Sequence, residues 1–488
     1  MVLESNLHFS LCKNAVELGE FKMKNRFKNT ILFNLVLISL ILSGISCFTG
    51  TQPSSRINNR SLTEDEMSLP GWYEESLLRC KNPAGLMSRP GILRTSLSAP
   101  QAKPKVKWSK QINSSELLNP LVDNEGYTWY YPYRLSDPEN GRSLEDEQKV
   151  TRLKPDGSTS REKMPGIDRQ FKPVAVCKNA IILFDYLASG SKSSDYSVCL
   201  ECIDFNFNTI WRSENIKYPL SFPSAWRIGK DRIMMSDSSS GNGQFNIYSI
   251  ADGELVKTIV LPDFPEPTVS GFSFPYRKVI ESNEGGWIGM TDSAVVRYSD
   301  DLKLMWKYDI PSLMVEPESA VSNLGIVTIS DANTIIALYV PYGTVAWEKS
   351  EGKNYQLAGV TPDGSFLFYL SRKGQTSKQN ADASKTNNGC LALIDTNGVE
   401  KWAIPIDDNP QQAATVIYDD GSVLFNHLTG IIMAKKDGSI LWQMDKNDFA
   451  SGDSFGLFNW FISPAPNDRI VVGFNNTTEK GRRICSLE

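Results

Sequence analysis

The sequence is very poor in histidine: among 488 residues, only His8 and His427 are histidines. Histidine is the commonest metal ligand in proteins and the usual base beside a serine or cysteine nucleophile. His8 precedes the leader described below, and His427 lies at the end of a predicted strand, where a loop residue is the simplest interpretation. The chain therefore predicts no histidine-based metal site and no Ser-His-Asp or Cys-His system.

Cysteines are also few and scattered. There is no Cys-Cys dipeptide, and the one close pair is Cys199 and Cys202 in "CLEC". Residues three apart on a strand point to opposite faces of the sheet, so this pair predicts neither a zinc knuckle nor a redox dithiol. The cysteines beyond the leader permit disulfides in an exported protein, but their spacing leaves the pairing open. They are Cys80, Cys177, Cys199, Cys202, Cys390 and Cys485.

An excess of positive charge is absent too. The net charge is -5 at pH 7, and no basic stripe alternates with aromatic residues, so the sequence predicts no nucleic-acid binding. The turns "DTNG" (395–398) and "YDDG" (418–421) lack the long loop of oxygen ligands that calcium requires, so no metal site is predicted. With 41% apolar and 22% charged residues, the composition is that of a globular protein with a large core.

No apolar run reaches the length of a membrane-spanning helix. Residues 22–29 are basic, residues 30–43 ("TILFNLVLISLILS") are apolar, and "GISC" ends at Cys47. The apolar run is shorter than the ~20 residues that a helix needs to cross a bilayer. The pattern resembles a bacterial lipoprotein signal peptide, in which the cysteine becomes the lipidated first residue, and a membrane anchor or plain secretion is the alternative.

These features divide the chain into four regions. Residues 1–22 are interpreted as a misassigned extension before a start at Met23, and residues 23–46 as the signal peptide. Residues 47–104 are polar and rich in Ser and Pro, which predicts a tether in which 72–86 could form one short amphipathic helix. Residues 105–488 predict one β domain.

Two sequence elements alternate along this domain. The first is a short turn followed by an apolar run, as in "TPDGSFLFYL" (361–370), and it occurs eight times. The second is an Asx-Gly turn followed by tryptophan, as in "KKDGSILW" (435–442), and it occurs seven times between copies of the first. Each is typical of a β-hairpin. Measured at the tryptophan or its counterpart, the repeats lie at 108, 161, 211, 257, 306, 347, 402 and 442, a period of 40 to 55 residues that is typical of propellers and solenoids.

The eighth copy of the second element is split between the two ends of the domain. "RRICSLE" (482–488) matches the strand before such a turn, and "KVKWSKQI" (105–112) matches the strand after it. Pairing them would close a ring and remove two exposed sheet edges, which a solenoid does not do. The sequence therefore predicts an all-β fold, an eight-bladed β-propeller of four-stranded blades whose ring is closed by an N-terminal strand that completes the last blade.

The turn followed by a buried tryptophan resembles the tryptophan-docking repeat of the quinoprotein-like (PQQ-like repeat) β-propellers. That superfamily contains pyrroloquinoline-quinone (PQQ) dehydrogenases and several non-enzymatic propellers. Arg161 and Lys257 replace tryptophan at two positions, where the blades should pack more loosely. The tryptophans are interpreted as core between blades, because each indole can bury roughly 200 Å². The docking positions are held by Trp108, Trp211, Trp306, Trp347, Trp402 and Trp442.

The resemblance leaves the activity open. The alcohol-dehydrogenase branch uses an adjacent cysteine pair and a calcium ion, and this chain lacks the pair, although the sugar-dehydrogenase branch does without it. A PQQ-dependent dehydrogenase is thus one alternative, and its ligands would be sought near Asp123, Glu284 and Asp420. We expect no cofactor and no catalysis. A second alternative is a role in outer-membrane protein assembly. The superfamily includes a lipid-anchored propeller that belongs to the outer-membrane β-barrel assembly machinery, and this chain resembles it in its leader, its blade number and its ring closure.

Three polar insertions, at 136–148, 185–197 and 371–389, occupy the same place in their repeats. They should emerge on one face of the propeller, and a shared face favours partner binding, although such loops are as often only solvated. The sequence therefore predicts a protein-binding or scaffold module attached through Cys47 to a membrane of the bacterial cell envelope. The outer membrane is the expected site, and periplasmic or surface exposure stays open.

Overall fold

The computed structural model of the chain describes a set of ranges between residues 60 and 488. Cys47, Cys80, Glu284, the leader and most of the three predicted insertions lie outside them. None of the helices in the described part of the chain is long and apolar enough to cross a membrane. The described ranges are 60–68, 73–74, 92–112, 116–117, 121–130, 132–133, 150–163, 169–188, 196–214, 216–218, 225–228, 231–237, 244–260, 278–281, 285–290, 294–301, 303–311, 318–322, 324–330, 334–350, 353–372, 389–406, 415–427, 430–449, 461–476 and 481–488.

The described residues are almost entirely strands. Two single-turn helices are present in them, α1 (Glu64–Met67) and α2 (Lys446–Phe449). The strands of the first half are β1 (Tyr73–Glu74), β2 (Ile92–Thr95), β3 (Val106–Ile112), β4 (Glu116–Leu117), β5 (Leu121–Val122), β6 (Thr128–Tyr130), β7 (Pro132–Tyr133), β8 (Val150–Leu153), β9 (Thr159–Lys163), β10 (Arg169–Val176), β11 (Ala180–Ala188), β12 (Tyr196–Asp204), β13 (Thr209–Arg212), β14 (Ile216–Tyr218), β15 (Ala225–Ile228), β16 (Arg232–Asp237), β17 (Gln244–Ser249) and β18 (Leu255–Val260). Those of the second half are β19 (Lys278–Glu281), β20 (Trp287–Met290), β21 (Ala294–Tyr298), β22 (Leu304–Asp309), β23 (Glu318–Val321), β24 (Ile326–Ser330), β25 (Ile335–Tyr339), β26 (Val345–Lys349), β27 (Lys353–Val360), β28 (Phe366–Arg372), β29 (Gly389–Ile394), β30 (Glu400–Ile406), β31 (Thr415–Tyr418), β32 (Val423–His427), β33 (Gly430–Ala434), β34 (Ile440–Asp445), β35 (Phe461–Ala465), β36 (Arg469–Asn476) and β37 (Gly481–Leu487).

These strands form eight antiparallel four-stranded blades in a ring, which confirms the predicted eight-bladed propeller. Blade 1 consists of β5, β6, β8 and β9, and blade 8 of β35, β36, β37 and β3. Each of blades 2 to 7 pairs four consecutive strands, which begin at β10, β15, β19, β23, β27 and β31. The first strands of several neighbouring blades contact one another. The first strand of each blade therefore lines the centre of the ring, and the fourth strand lies at its rim.

The ring is closed by the N-terminal strand, as predicted. β3 pairs antiparallel with β37 from Val106 opposite Leu487 to Ile112 opposite Arg482. The pairing extends one residue further, because Lys105 N donates to Glu488 O at 2.7 Å and Glu488 N donates to Lys105 O at 2.9 Å. Blade 8 therefore has both of its rim strands joined by hydrogen bonds instead of by a turn.

The antiparallel order gives the propeller two different sides. Turns that join the first strand to the second, and the third to the fourth, lie on one side, called here the turn side. Connections from the second strand to the third lie on the opposite side, called here the loop side. The predicted insertions join the second and third strands of blades 1, 2 and 6. The strands that flank them therefore end on the loop side.

The blade interfaces explain the continuous apolar runs in the strands. Both faces of a blade are covered by its neighbours, so successive side chains of one strand are buried rather than alternate ones. In β28, Phe366 and Phe368 are fully buried, and Tyr369 packs against Phe425 of blade 7 with ring centroids 6.5 Å apart.

The segment that the sequence predicts as a tether contributes to this folded unit. Helix α1 begins with a capping box, in which Glu66 N donates to the Thr63 hydroxyl at 3.3 Å and Thr63 N donates to the Glu66 carboxylate at 2.9 Å. Leu62 is buried in the core between blades 2 and 3, and its N–H donates to Ala251 O at 2.7 Å. The predicted helix at 72–86 is not seen in its described part, because Tyr73 and Glu74 form β1.

Strand β2 occupies the centre of the ring. It pairs parallel with β31, from Ile92 opposite Thr415 to Thr95 opposite Tyr418, on the edge of β31 that faces away from β32. Because β31 is the innermost strand of blade 7, β2 and its partner β1 lie inside the ring. From β2 the chain crosses the turn side toward β3 at the rim of blade 8.

Candidate functional site

The six predicted docking tryptophans all donate their indole N–H to a backbone carbonyl across a blade boundary. Five of them reach the turn between the third and fourth strands of the next blade. The Nε1 to O distances are 2.7 Å for Trp108 to Pro155, 3.0 Å for Trp211 to Ile250, 2.7 Å for Trp306 to Val340, 2.8 Å for Trp347 to Thr396, 2.8 Å for Trp402 to Lys436 and 2.8 Å for Trp442 to Pro100.

Each of the five turns also places a glycine against the indole ring. At Gly253, where φ is +75°, an added Cβ would lie 2.3 Å from an atom of the Trp211 ring. At Gly157 an added Cβ would lie 2.6 Å from the Trp108 ring. Glycine is required at these turns for two reasons: the backbone has a positive φ, and the indole ring lies where a Cβ atom would be. The other three glycines in contact with docking tryptophans are Gly343, Gly398 and Gly438.

The two blades without a docking tryptophan face turns without this glycine. Arg161 of blade 1 faces the turn of blade 2, where Phe207 holds the positive φ, at 65°. Phe207 packs instead on Trp129, with ring centroids 5.1 Å apart. Lys257 of blade 3 faces the Ser299–Lys303 turn of blade 4, which also lacks glycine. Tryptophan and glycine are therefore one unit that spans two blades, and aromatic packing replaces it between blades 1 and 2.

Trp442 is the exception because blade 8 has no covalent turn between β37 and β3. Pro100 supplies the carbonyl there, from the segment that leads from β2 to β3. Trp442 is buried, as are Pro100 and the adjacent Ala99. The N-terminal segment thus substitutes for the missing turn.

Asp123, considered above as a possible ligand for a metal or cofactor, is held in a buried network in blade 1. One carboxylate oxygen accepts from Glu125 N and Tyr127 N, each at 3.0 Å. The other accepts from Trp129 Nε1 at 2.7 Å and from Arg152 Nε at 2.8 Å. Burial raises the pKa of the Asp123 carboxyl, and the adjacent Arg152 opposes that rise. The network joins two strands and a turn of one blade.

The remaining predicted positions are not brought together with Asp123. Asp420 lies in the first turn of blade 7, where its carboxylate accepts from Ser422 N at 2.8 Å, and blade 8 separates it from blade 1. Glu284 lies outside the described residues, and His427 ends β32. Within the described ranges, no group of three or more His, Cys, Asp and Glu side chains is arranged to hold a metal ion.

The cysteines of "CLEC" point to different environments. Cys199 is buried beside Arg212, whose Nε lies 2.9 Å from its sulfur, and burial raises the pKa of its thiol to about 12. Cys202 is packed with Cys177 in the core between blades 2 and 3, and burial raises the pKa of its thiol well above the usual value. The described cysteines are thiols in this structure. Neither Cys199 nor Cys202 has the lowered pKa of a reactive cysteine.

Sequence reasoning missed an apolar surface at the rim of blades 3, 4 and 5. Nine of the eleven large apolar side chains that are exposed in the described residues belong to these three consecutive blades. All but Val260 lie toward the turn side, at the start of a fourth strand, at the end of a third strand (Tyr339) or in a turn. Leu324 lies in the turn between the first two strands of blade 5 and so toward the centre of the ring. We call the other seven residues the rim patch: Leu255, Val256, Leu304, Met305, Tyr339, Tyr342 and Val345.

Blades 4 and 5 bring their parts of the rim patch close together. Trp306, which follows Met305, donates to Val340 O, next to the turn that carries Tyr342. Tyr342 is 73% exposed and Leu324 is 60% exposed, so each of these two turns of blade 5 carries an exposed apolar residue. The signal in the sequence was the apolar residue inside each turn, at 324 and 342.

The known proteins that are similar to this chain are solved structures of low sequence identity. No protein-family model matches the chain, and no curated protein matches it. Among solved structures it is similar to BamB from Moraxella catarrhalis, with 10% identity, a TM-score of 0.46, and coverage of 79% of this chain and 99% of that chain. The eight blades are assigned from the strand pairing alone.

Two further similar structures are named as enzymes. One is the dihydro-heme d1 dehydrogenase NirN in complex with DHE, with 10% identity, a TM-score of 0.43, and coverage of 85% of this chain and 75% of that chain. The other is a catalytically inactive virginiamycin B lyase from Staphylococcus aureus with quinupristin, with 11% identity, a TM-score of 0.37, and coverage of 66% of this chain and 96% of that chain.

Proposed function

We propose that the protein is a lipid-anchored propeller of the bacterial cell envelope that binds a partner protein through the rim patch and has no catalytic role of its own. The observation that carries the proposal is the concentration of nine of eleven exposed large apolar side chains on three consecutive blades. Single exposed apolar residues are ordinary on a protein surface, whereas their concentration in one region is typical of an interaction site.

The composition of the patch supports a protein as the partner. Tyr and Met are enriched at the centres of protein interfaces, and two tyrosines and a methionine lie among its residues. The border of the patch carries both charges, because Lys303 pairs with Asp301 at 3.0 Å and Lys307 pairs with Asp309 at 2.8 Å. A partner with an apolar centre and a polar margin of mixed charge fits this arrangement.

The rim patch differs from the surface that the insertions indicated. Those insertions are attached on the loop side, whereas the patch lies at the turn end of the rim strands. We assign the primary contact to the patch, because apolar area removed from water supplies binding free energy and solvated polar loops supply little. The outer membrane is the proposed location, and a part in protein assembly there is one form that such a scaffold role takes.

A charge-insertion experiment tests this function. Leu255→Lys, Met305→Lys and Tyr342→Lys together place three charges in the patch without touching the core, since all three residues are exposed. We expect the affinity for the partner, isolated by cross-linking in envelope membranes and then purified, to fall at least about tenfold, which corresponds to roughly 1.4 kcal/mol. Titration of the purified pair measures it.

Blades 6 and 7 offer a matched control. Val399→Lys and Ile440→Lys alter residues that are 54% and 52% exposed and that also follow turns of the rim. We expect these changes to leave the affinity within about twofold. Equal losses in both variants, or a loss only in the control, would place the contact elsewhere.

The proposed anchor is tested at Cys47. Each buried acyl CH₂ contributes about 0.8 kcal/mol to membrane binding, and stable anchoring takes more than one chain or signal. Cys47→Ala should therefore move the protein from the detergent phase to the aqueous phase in a phase-partition assay. Cys80→Ala is the control and should leave partitioning unchanged. Retention of the Cys47→Ala protein in the detergent phase would favour an uncleaved helix over a lipid.

A further inference from the structure

The segment around helix α1 crosses the turn side of blades 2 and 3. At its start, Leu62 N donates at 2.7 Å to Ala251 O, in the turn between the third and fourth strands of blade 3. At its end, Lys178 N donates at 2.7 Å to Ser68 O, and Lys178 lies in the turn between the first two strands of blade 2. Fourth strands lie at the rim and first strands at the centre, so this segment runs inward from the rim.

Side-chain contacts hold this segment in place. Leu62 is 3% exposed and is packed in the core between blades 2 and 3. The Arg60 guanidinium donates two hydrogen bonds to the Glu66 carboxylate, each at 2.9 Å, and Lys178 Nζ lies 2.6 Å from the Asp65 carboxylate. Arg60, the first residue that the structure describes, therefore lies on the turn side near the rim, between blades 2 and 3.

The rim patch begins beside this point. Ala251 belongs to the turn that joins β17 to β18, and Leu255 and Val256, the first residues of β18, are also the first residues of the patch. Ser249 N donates to Glu254 O at 2.9 Å and closes this turn. One short turn therefore connects the place where the N-terminal segment is bound to the blade 3 end of the rim patch.

The length of chain before Arg60 limits how far this region can lie from a membrane. Thirteen peptide units join Arg60 to Cys47, the residue proposed to carry the lipid. A fully extended chain spans at most about 3.6 Å per residue, so Arg60 lies no farther than about 47 Å from the lipidated residue. The anchor therefore holds the turn side of blade 3 near the bilayer, whereas blade 7 lies across the ring from it.

The rim patch is small for a protein interface. It offers seven exposed apolar side chains, whereas a standard interface uses about 20–30 residues on each side. A contact of this size is expected to be weak between two proteins that diffuse freely. Attachment of both proteins to one membrane raises their effective concentration, and short tethers raise it most.

The charges at the patch border favour a protein over the lipid surface as the occupant. Segments that bind a membrane surface use lysine and arginine side chains that are attracted to anionic headgroups. At this border Lys303 and Lys307 are paired with Asp301 and Asp309, whose side chains are 61% and 77% exposed. Anionic headgroups would repel these exposed carboxylates.

We propose that the turn side of blades 3 to 5 faces the membrane and that the rim patch binds a protein held in that same membrane. This inference rests on the proposed function, both for the lipid anchor and for the patch, and it adds the orientation of the propeller and the location of the partner. The loop side, which carries the predicted insertions, then faces away from the bilayer.

Energy transfer from the propeller to labelled lipids tests the orientation in the absence of a partner. The full-length lipoprotein is placed in liposomes that contain an acceptor lipid, with a fluorescent amino acid at Tyr342 or at Ser350. Both residues are exposed, and they flank the turn-side and loop-side ends of β26, a strand roughly 17 Å long. We expect higher transfer from Tyr342. Equal transfer, or higher transfer from Ser350, would overturn the orientation.

A longer tether provides a second measurement. Forty Gly-Ser residues inserted between Asn59 and Arg60 add an r.m.s. span of roughly 35 Å, so transfer from Tyr342 should fall and the difference from Ser350 should shrink. The same forty residues appended after Glu488 are the matched control and should leave both transfers unchanged. Undiminished transfer from Tyr342 in the lengthened protein would overturn the role given to the tether.

A cleavable photocross-linker at Met305 of the full-length protein tests the location of the partner in intact envelopes. After cleavage, we expect the released partner to stay with the membranes through an alkaline carbonate wash. A partner released into the soluble fraction would overturn this inference and leave the proposed function standing. Adducts to lipid alone, or no protein product at all, would overturn the proposed function and this inference with it.

Discussion

A chain that begins at Asn113, and so lacks β3, is expected not to fold into a stable propeller. The deletion exposes the edge of β37, whose Ile484, Cys485 and Leu487 are fully buried, and removes the Trp108 contact with blade 1. Loss of one buried tryptophan costs about 3–5 kcal/mol, and the whole stability of a domain is typically about 5–15 kcal/mol. Circular dichroism and size-exclusion chromatography should show an unfolded or aggregated protein.

Two longer chains serve as controls for that deletion. A chain that begins at Lys105 keeps β3 but loses β2 and the Pro100 carbonyl that accepts from Trp442, so it should fold with a lower melting temperature. A chain that begins at Arg60 keeps all of these contacts and should be the most stable of the three. Equal melting temperatures for the chains from Asn113 and Lys105 would contradict closure of the ring by β3.

Asp123→Ala is expected to lower the free energy of unfolding by about 3–5 kcal/mol, because it leaves the buried Arg152 with the exposed Glu125 as its one carboxylate partner among the described residues. Four hydrogen bonds to the carboxylate are lost as well. Urea unfolding at neutral pH measures the change.

Asp204→Ala is the matched control for the Asp123 network. Asp204 accepts from the N–H groups of Asn206 and Asn208 in its turn, each at 2.8 Å, in the same pattern as Asp123, but no buried arginine among the described residues pairs with it. We expect a loss of only about 1 kcal/mol there. Similar losses in the two variants would mean that the turn bonds, and not the buried ion pair, stabilise blade 1.

The repeat made the propeller predictable, because every blade has the same local sequence pattern of turn and strand, and six of the eight have the tryptophan. Ring closure followed from the split copy at 105–112 and 482–488, which is a pattern that sequence alone displays. The replacements at Arg161 and Lys257 were visible, but not the reason for them. That reason is the missing glycine in the next blade, which becomes meaningful only when the two blades are placed side by side.

The N-terminal segment was not predictable from its composition. Residues 47–104 are polar and carry no strand periodicity, and β2 owes its conformation to the free inner edge of β31, more than 300 residues away along the chain. Leu62 and Pro100 likewise make contacts with residues far away in the sequence, and the sequence around each of them does not indicate those contacts.

Site-specific photocross-linking in intact envelopes tests the account most directly. A photoreactive residue at Met305 or Tyr342 lies in the rim patch, and one at Ile440 or Asp437 lies in the equivalent exposed turn region of blade 7. The account predicts that Met305 and Tyr342 both cross-link to the same partner protein and that Ile440 and Asp437 do not. Cross-links of equal yield at all four positions, or cross-links confined to blade 7, would contradict binding through the rim of blades 3 to 5.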